Sequence, residues 1–154
     1  MQQQTLLAIL EKIEVESFLR PTFNASGYQA VADDLGATPE VQTLLAYQDA
    51  SLPLMRARYR ELAASMPDTA RLVYFVVFGL ARDRQMIREI VSYLKQCRVL
   101  PIEKLTSPWL AFLHGVHALE LITGGQVQAP NSGGSGKQFD KFLTQVEKWA
   151  KSNS

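Results

Sequence analysis

Leu72-Val73-Tyr74-Phe75-Val76-Val77-Phe78 is an unbroken apolar run, flanked on both sides by polar, Arg-rich stretches with helical spacing. By periodicity alone it reads equally well as a buried strand. Length decides for a helix, because the element continues through Gly79-Leu80-Ala81 without a turn signal. A helix that is apolar around its whole circumference has to be enclosed by its neighbours. The run is therefore expected to be the buried centre of an all-helical domain, within a helix over 69–82.

Before this segment, Ser51 and Pro53 are expected to restart the chain. Leu52, Met55, Tyr59 and Leu62 then share one helical face, and Pro67-Asp68 ends that helix and caps the next. Thr38-Pro39-Glu40 is a strong start signal: a cap, Pro at the first helical position and an acid in the first turn. Val41, Leu44 and Leu45 would line the buried side of the helix it opens. A weaker helix is expected over 27–35, stopping at Gly36. The first helix takes Thr5 as its cap, buries Leu6, Ile9, Leu10 and Ile13, and ends at Arg20 before Pro21.

After the apolar run, Asp83 caps a helix with Met86, Ile87, Ile90, Val91 and Leu94 on one face. Pro101 interrupts. Ser107-Pro108 opens a helix to Ile122, which Gly124 stops. Residues 124–136 read as a loop with a mobile Ser132-Gly133-Gly134-Ser135-Gly136 centre. The last helix, over 137–151, buries Phe139, Phe142, Leu143, Val146 and Trp149 and turns lysines outward. The total is about seven or eight helices with short connections, which favour antiparallel neighbours.

At 154 residues, 47% hydrophobic and 20% charged, the chain has the size and composition of one globular domain. No stretch approaches the ~20 apolar residues of a bilayer crossing, so membrane insertion is not expected. The net charge of +1 argues against a chain devoted to nucleic acid. The charge is unevenly spread: residues 1–50 carry −5, residues 51–104 carry +5 and the remainder +1. Cys97 is the one cysteine, which excludes an internal disulfide and a Cys-based zinc site. Met1-Gln2-Gln3-Gln4-Thr5 shows no signal peptide. It fits a native start or a mature exported chain with an added Met, so the compartment, cytoplasmic or periplasmic, stays open.

The helix pair around Asp83 resembles a HEAT-type repeat. The likeness rests on Arg71-Leu72-Val73-Tyr74-Phe75-Val76-Val77-Phe78-Gly79-Leu80-Ala81-Arg82, then Asp83, then Met86-Ile87-Arg88-Glu89-Ile90-Val91. Asp83 and Arg88 stand where that family often has a turn Asp and an early basic residue, with spacing one residue short. His117-Ala118-Leu119-Glu120-Leu121-Ile122-Thr123-Gly124, with Trp149 in the last helix, is similar to the closing segment of small bacterial HEAT-like proteins. The resemblance covers about half the chain and lacks a clean period in the N-terminal third. It implies antiparallel helix pairs stacked as a short superhelix or as a compact helical array, and a role in protein binding.

Two constellations bear on chemistry. His114, His117 and Glu120 follow one another at i, i+3 and i+6 on an otherwise apolar helix, which places three metal-ligand types on adjacent turns. The competing reading is a solvent-facing or groove-lining polar stripe. Arg56 and Arg60 lie one turn apart, and Arg82, Arg84 and Arg88 flank the following turn. Arginine forks at these positions suit phosphates or an acidic protein. The competing reading pairs them with Glu61, Asp83 and Glu89 on a solvated face.

No Gly-x-Ser-x-Gly motif is present, and Gly136-Lys137 is followed by Gln138 rather than the Ser or Thr of a phosphate loop. Asp33-Asp34 point about 100° apart on a helix, a poor acid–base geometry. The residues thus favour a non-enzymatic module that binds another protein, of acidic character, and call for no cofactor. A small metal protein or enzyme using His114, His117 and Glu120 is the alternative. A binder of acidic ligands or nucleic acid through the Arg-rich middle is the third reading.

Overall fold

The computed structural model describes residues 3–15, 35–99, 107–130 and 135–153. These form an all-helical domain of seven α-helices: α1 (Gln3–Glu14), α2 (Pro39–Ala46), α3 (Gln48–Leu62), α4 (Asp68–Leu80), α5 (Ile87–Val99), α6 (Ser107–Ile122) and α7 (Gly136–Ser152). A single 3₁₀ turn, Arg84–Met86, leads into α5. Among the described residues there is no strand.

The apolar run forms α4, and every residue from Ala70 to Gly79 is buried. Tyr59 of α3 joins Tyr74, Phe75 and Phe78 in one aromatic cluster, with ring centroids 5.8–6.2 Å apart. Burying each such ring stabilises the fold by roughly 1.5–3 kcal/mol. The most extensive packing of α4 is along α6. Two glycines set how closely the helices approach. A Cβ on Gly79 would lie 2.9 Å from the Ala118 backbone, and one on Gly115 would lie 2.9 Å from Leu94 and 3.1 Å from Phe75.

α5 buries Ile87, Ile90, Val91 and Leu94, with Met86 just before it. It packs against α6 on one side and α7 on the other. α7 turns Phe139, Phe142, Leu143 and Val146 inward, with Phe139 edge-on to Phe112 of α6. α1 buries Leu6, Leu10 and Ile13. Glu14 fastens its C-terminal end, taking the guanidinium fork of Arg58 and the Tyr74 hydroxyl, the latter at 2.6 Å.

Three boundaries differ from expectation. α1 begins at Gln3, so Thr5 lies inside the helix rather than capping it. The chain restarts at Tyr47 rather than at Ser51-Pro53, and Pro53 sits inside α3. Proline there removes one backbone hydrogen bond, to the Asp49 carbonyl. Both residues are exposed, so that position faces solvent rather than the core, while Ser51 Oγ donates to the Leu44 carbonyl at 2.6 Å and ties the two helices together. Ser135-Gly136, expected in the loop, belongs to the start of α7. Ser135 and Gln138 form a reciprocal capping box that satisfies two helix-end donors at once. Ile9, Leu45 and Trp149, expected to be buried, are only partly so. The expected end of the first helix at Arg20, residues 27–34 of the weaker expected helix, the break at Pro101 and residues 131–134 of the Gly-rich loop lie outside the described residues.

Thr38 caps α2 as anticipated, accepting from the Val41 amide. Asp83 likewise caps the turn before α5, accepting from the Gln85 amide at 3.2 Å.

Candidate functional site

Exposed Arg88, Ser92 and Gln96 recur at i, i+4 and i+8 on α5 and form a polar ridge. A groove opens on one side of the ridge and a cavity on the other, and all three residues line both. Helical periodicity puts Ile87 and Val91 beside the ridge on the groove side.

The groove runs between α5 and α7 and encloses about 970 Å³. Ile87, Val91, Trp149 and Ala150 supply its apolar lining, and Arg84, Arg88, Lys95, Lys151 and Glu147 supply its charges. Four cations thus face one carboxylate. Lys95 bridges the groove to Glu147 at 2.8 Å. Trp149 is half-buried and anchored, because its indole N–H donates to Gln126 Oε1 at 3.0 Å. The Arg84 guanidinium lies over the same ring at 5.1 Å and donates to the Asn153 carbonyl. Arg84 is therefore positioned by α7 although it precedes α5. Arg88 forms no ion pair among the described residues.

The five arginines singled out in the sequence do not make one patch. Only Arg84 and Arg88 meet, at the groove. Arg56 is held by Asp83 through two hydrogen bonds, at 2.8 and 3.2 Å, with the Asp83 side chain almost fully enclosed. Arg60 pairs with Glu89 at 2.9 Å. Arg82 has a positive φ of 53° in the turn after α4 and lines a separate small hollow with Glu120, Gly124 and Gly125. The pairing of arginine with Asp83 and Glu89, weighed from sequence, is present. Glu61 takes no part in an ion pair among the described residues.

His114, His117 and Glu120 do not converge either. His114 is buried, and its Nδ1 lies 2.7 Å from the Leu110 carbonyl of its own helix. Glu120 accepts from the Ala129 amide at 2.8 Å and so holds the segment after α6. Among the described residues no group of three His, Cys, Asp or Glu side chains is placed to hold a metal ion. His114 is thus enclosed, whereas His117 and Glu120 are half-buried.

The cavity beyond the ridge, about 680 Å³, lies between the end of α3 and α5. Its lining includes Arg71 of α4, which opens the HEAT-like stretch just before the apolar run and to which the sequence alone assigns no role. Arg71 is 7% exposed. It donates to the Tyr59 hydroxyl at 2.8 Å and to the Ala63 carbonyl at 2.6 Å, and its guanidinium lies over the Tyr93 ring at 4.4 Å. Burial pushes the Tyr59 and Tyr93 hydroxyls and the Cys97 thiol above their ordinary pKa values. All three stay protonated at neutral pH, so the groups touching Arg71 are neutral; the carboxylates stand further out, Asp68 accepting from the Tyr93 hydroxyl at 3.4 Å and Glu89 on the cavity wall.

Comparison with known proteins yields no relative: no family model, curated protein or solved structure matches the chain.

Proposed function

We propose that this protein is a non-enzymatic helical module that binds another protein by docking an acidic amphipathic helix into the α5–α7 groove. The carrying observation is the groove itself, an apolar floor around an anchored tryptophan, edged by four cations and one carboxylate. Helix-in-groove recognition needs an apolar trough for the i, i+3, i+4 and i+7 side chains of the guest. Trp149 and Arg84 belong to the residue types that dominate binding energy at such interfaces. The excess of cations selects a guest with acidic flanks and speeds its encounter. The resemblance to HEAT-type repeats supports the same role, since stacked helices with an Asp in the inter-helix turn commonly serve as binding scaffolds.

The test is affinity capture with the wild-type chain, the Arg84→Glu/Arg88→Glu double variant and a Lys137→Glu/Lys141→Glu control elsewhere on α7. The expected result is a partner retained by wild type and control, lost by the groove variant, and weakened in 1 M salt, where screening shortens to about 3 Å. Cross-linking should map contact to an acidic helical segment of that partner. Equal retention by the groove variant, or contact through a basic or non-helical segment, would contradict the proposal.

A further inference from the structure

Arg71 poses a problem that the protein-docking role does not answer. Its guanidinium is permanently charged, because no environment inside a protein deprotonates arginine. A buried charge is stable only when paired and hydrogen-bonded. Here the described partners are a tyrosine hydroxyl, a backbone carbonyl and two tyrosine ring faces, all neutral. No carboxylate stands within ion-pair distance among the described residues.

Two buried polar atoms on this cavity wall have no partner: Arg71 Nε, a donor, and Glu89 Oε2, an acceptor. Glu89 spends its other oxygen on Arg60. The same wall presents Tyr59, Tyr93, Ala63 and Ala64. It thus combines a buried cation with no ion-pair partner among the described residues, a second arginine, Arg88, at its edge, one unused carboxylate oxygen, and an aromatic and aliphatic surface. A volume near 680 Å³ lies within the range of small-molecule sites.

We propose that this cavity binds a small aromatic carboxylate, with its carboxylate on Arg71 and its ring against Tyr59 and Tyr93. Charge fixes the class. A monoanion neutralises the single buried arginine, whereas a phosphate dianion brings a second charge toward Glu89. Arg88, on the ridge at the cavity's edge, draws the anion in. A hydroxyl or amino substituent on the ring would meet Glu89 Oε2.

The probes are benzoate, its neutral isostere benzamide, and inorganic phosphate, each titrated into the full chain and followed by amide NMR. Benzoate should give saturable shifts at the Ala63, Ala64, Tyr93 and Gln96 amides and at Arg71 Nε–H. Benzamide and phosphate should bind at least about tenfold more weakly, the ratio expected for losing one charge-assisted hydrogen bond. Arg71→Gln should abolish the benzoate response. Ala64 is exposed, so Ala64→Phe should keep the fold, fill the cavity and abolish the response too, which decides the matter even if Arg71→Gln does not fold. Absent saturation with benzoate, equal responses to benzamide or phosphate, or an unchanged response in Ala64→Phe would each overturn the proposal.

Discussion

Replacing Asp83 by Ala should destabilise the domain by about 3–4 kcal/mol, a large share of the 5–15 kcal/mol typical of a domain. Asp83 performs two tasks from one enclosed side chain. It accepts from the Gln85 amide at the start of the turn into α5, and loss of such a cap costs about 1 kcal/mol. It also receives two hydrogen bonds from Arg56, which ties α3 to the α4–α5 turn. Breaking a fully buried pair costs about 3–5 kcal/mol, because the surviving charge stays desolvated. The Arg56 side chain is 17% exposed and so regains some water, which lowers this contribution to about 2–3 kcal/mol. At about 2–4 °C per kcal/mol for a chain of this size, Tm should fall by about 10 °C. Urea denaturation of Asp83→Ala, Arg56→Met and the double variant measures the coupling directly, and it should exceed about 1.5 kcal/mol. A loss below about 1 kcal/mol for Asp83→Ala, or additive single variants, would refute the reasoning.

Other consequences are equally direct. Val76→Asp puts an unpaired carboxylate into the wholly buried face of α4 and should leave the chain unfolded by circular dichroism. Gly79→Val should destabilise by about 2–3 kcal/mol in thermal melts, since its Cβ already meets the Ala118 backbone and overpacking costs about 1–3 kcal/mol before the branched side chain is counted. Tyr59, Tyr74 and Tyr93 all have hydroxyl pKa values raised by burial, for Tyr74 with a further contribution from its bond to Glu14. The native state therefore holds protons that the unfolded state releases above about pH 10, and stability should be level below that pH and fall as pH rises past it. Urea midpoints between pH 8 and 11.5 should show the fall, and Tyr74→Phe should make it shallower by up to about 1.4 kcal/mol per pH unit; an unchanged slope would contradict the assignment.

The centre of the fold is legible in the sequence because an all-round apolar helix has one physical solution, enclosure. Local rules hold at Thr38 and Asp83, which cap as their spacing indicates, but mislead at two other places. Pro53 reads as a break, yet it lies inside α3 where Asp49 and Pro53 both face solvent, so the lost backbone bond is not buried. Ser135 reads as flexible linker, yet Gln138 three residues on makes it a cap, a signal visible in the S-x-x-Q spacing. The candidate site is less legible. Arg84 and Arg88 can be singled out by their clustering, but their separation from Arg56 and Arg60 depends on Asp83 and Glu89 arriving from other elements. Trp149 looks like core from its spacing and becomes half groove because α5 leaves one side of it uncovered. Arg71 is invisible to pattern reading: it sits at the edge of the apolar run, and its lack of an ion-pair partner among the described residues is a tertiary property.

The claim that α5 and α7 form the docking surface is tested most directly by hydrogen exchange on the chain with and without its captured partner. The account predicts slowed exchange confined to residues 84–96 and 145–153, with the helices α1 to α3 unchanged. Protection centred on α1 to α3, with the α5 and α7 amides exchanging as in the free chain, would contradict it.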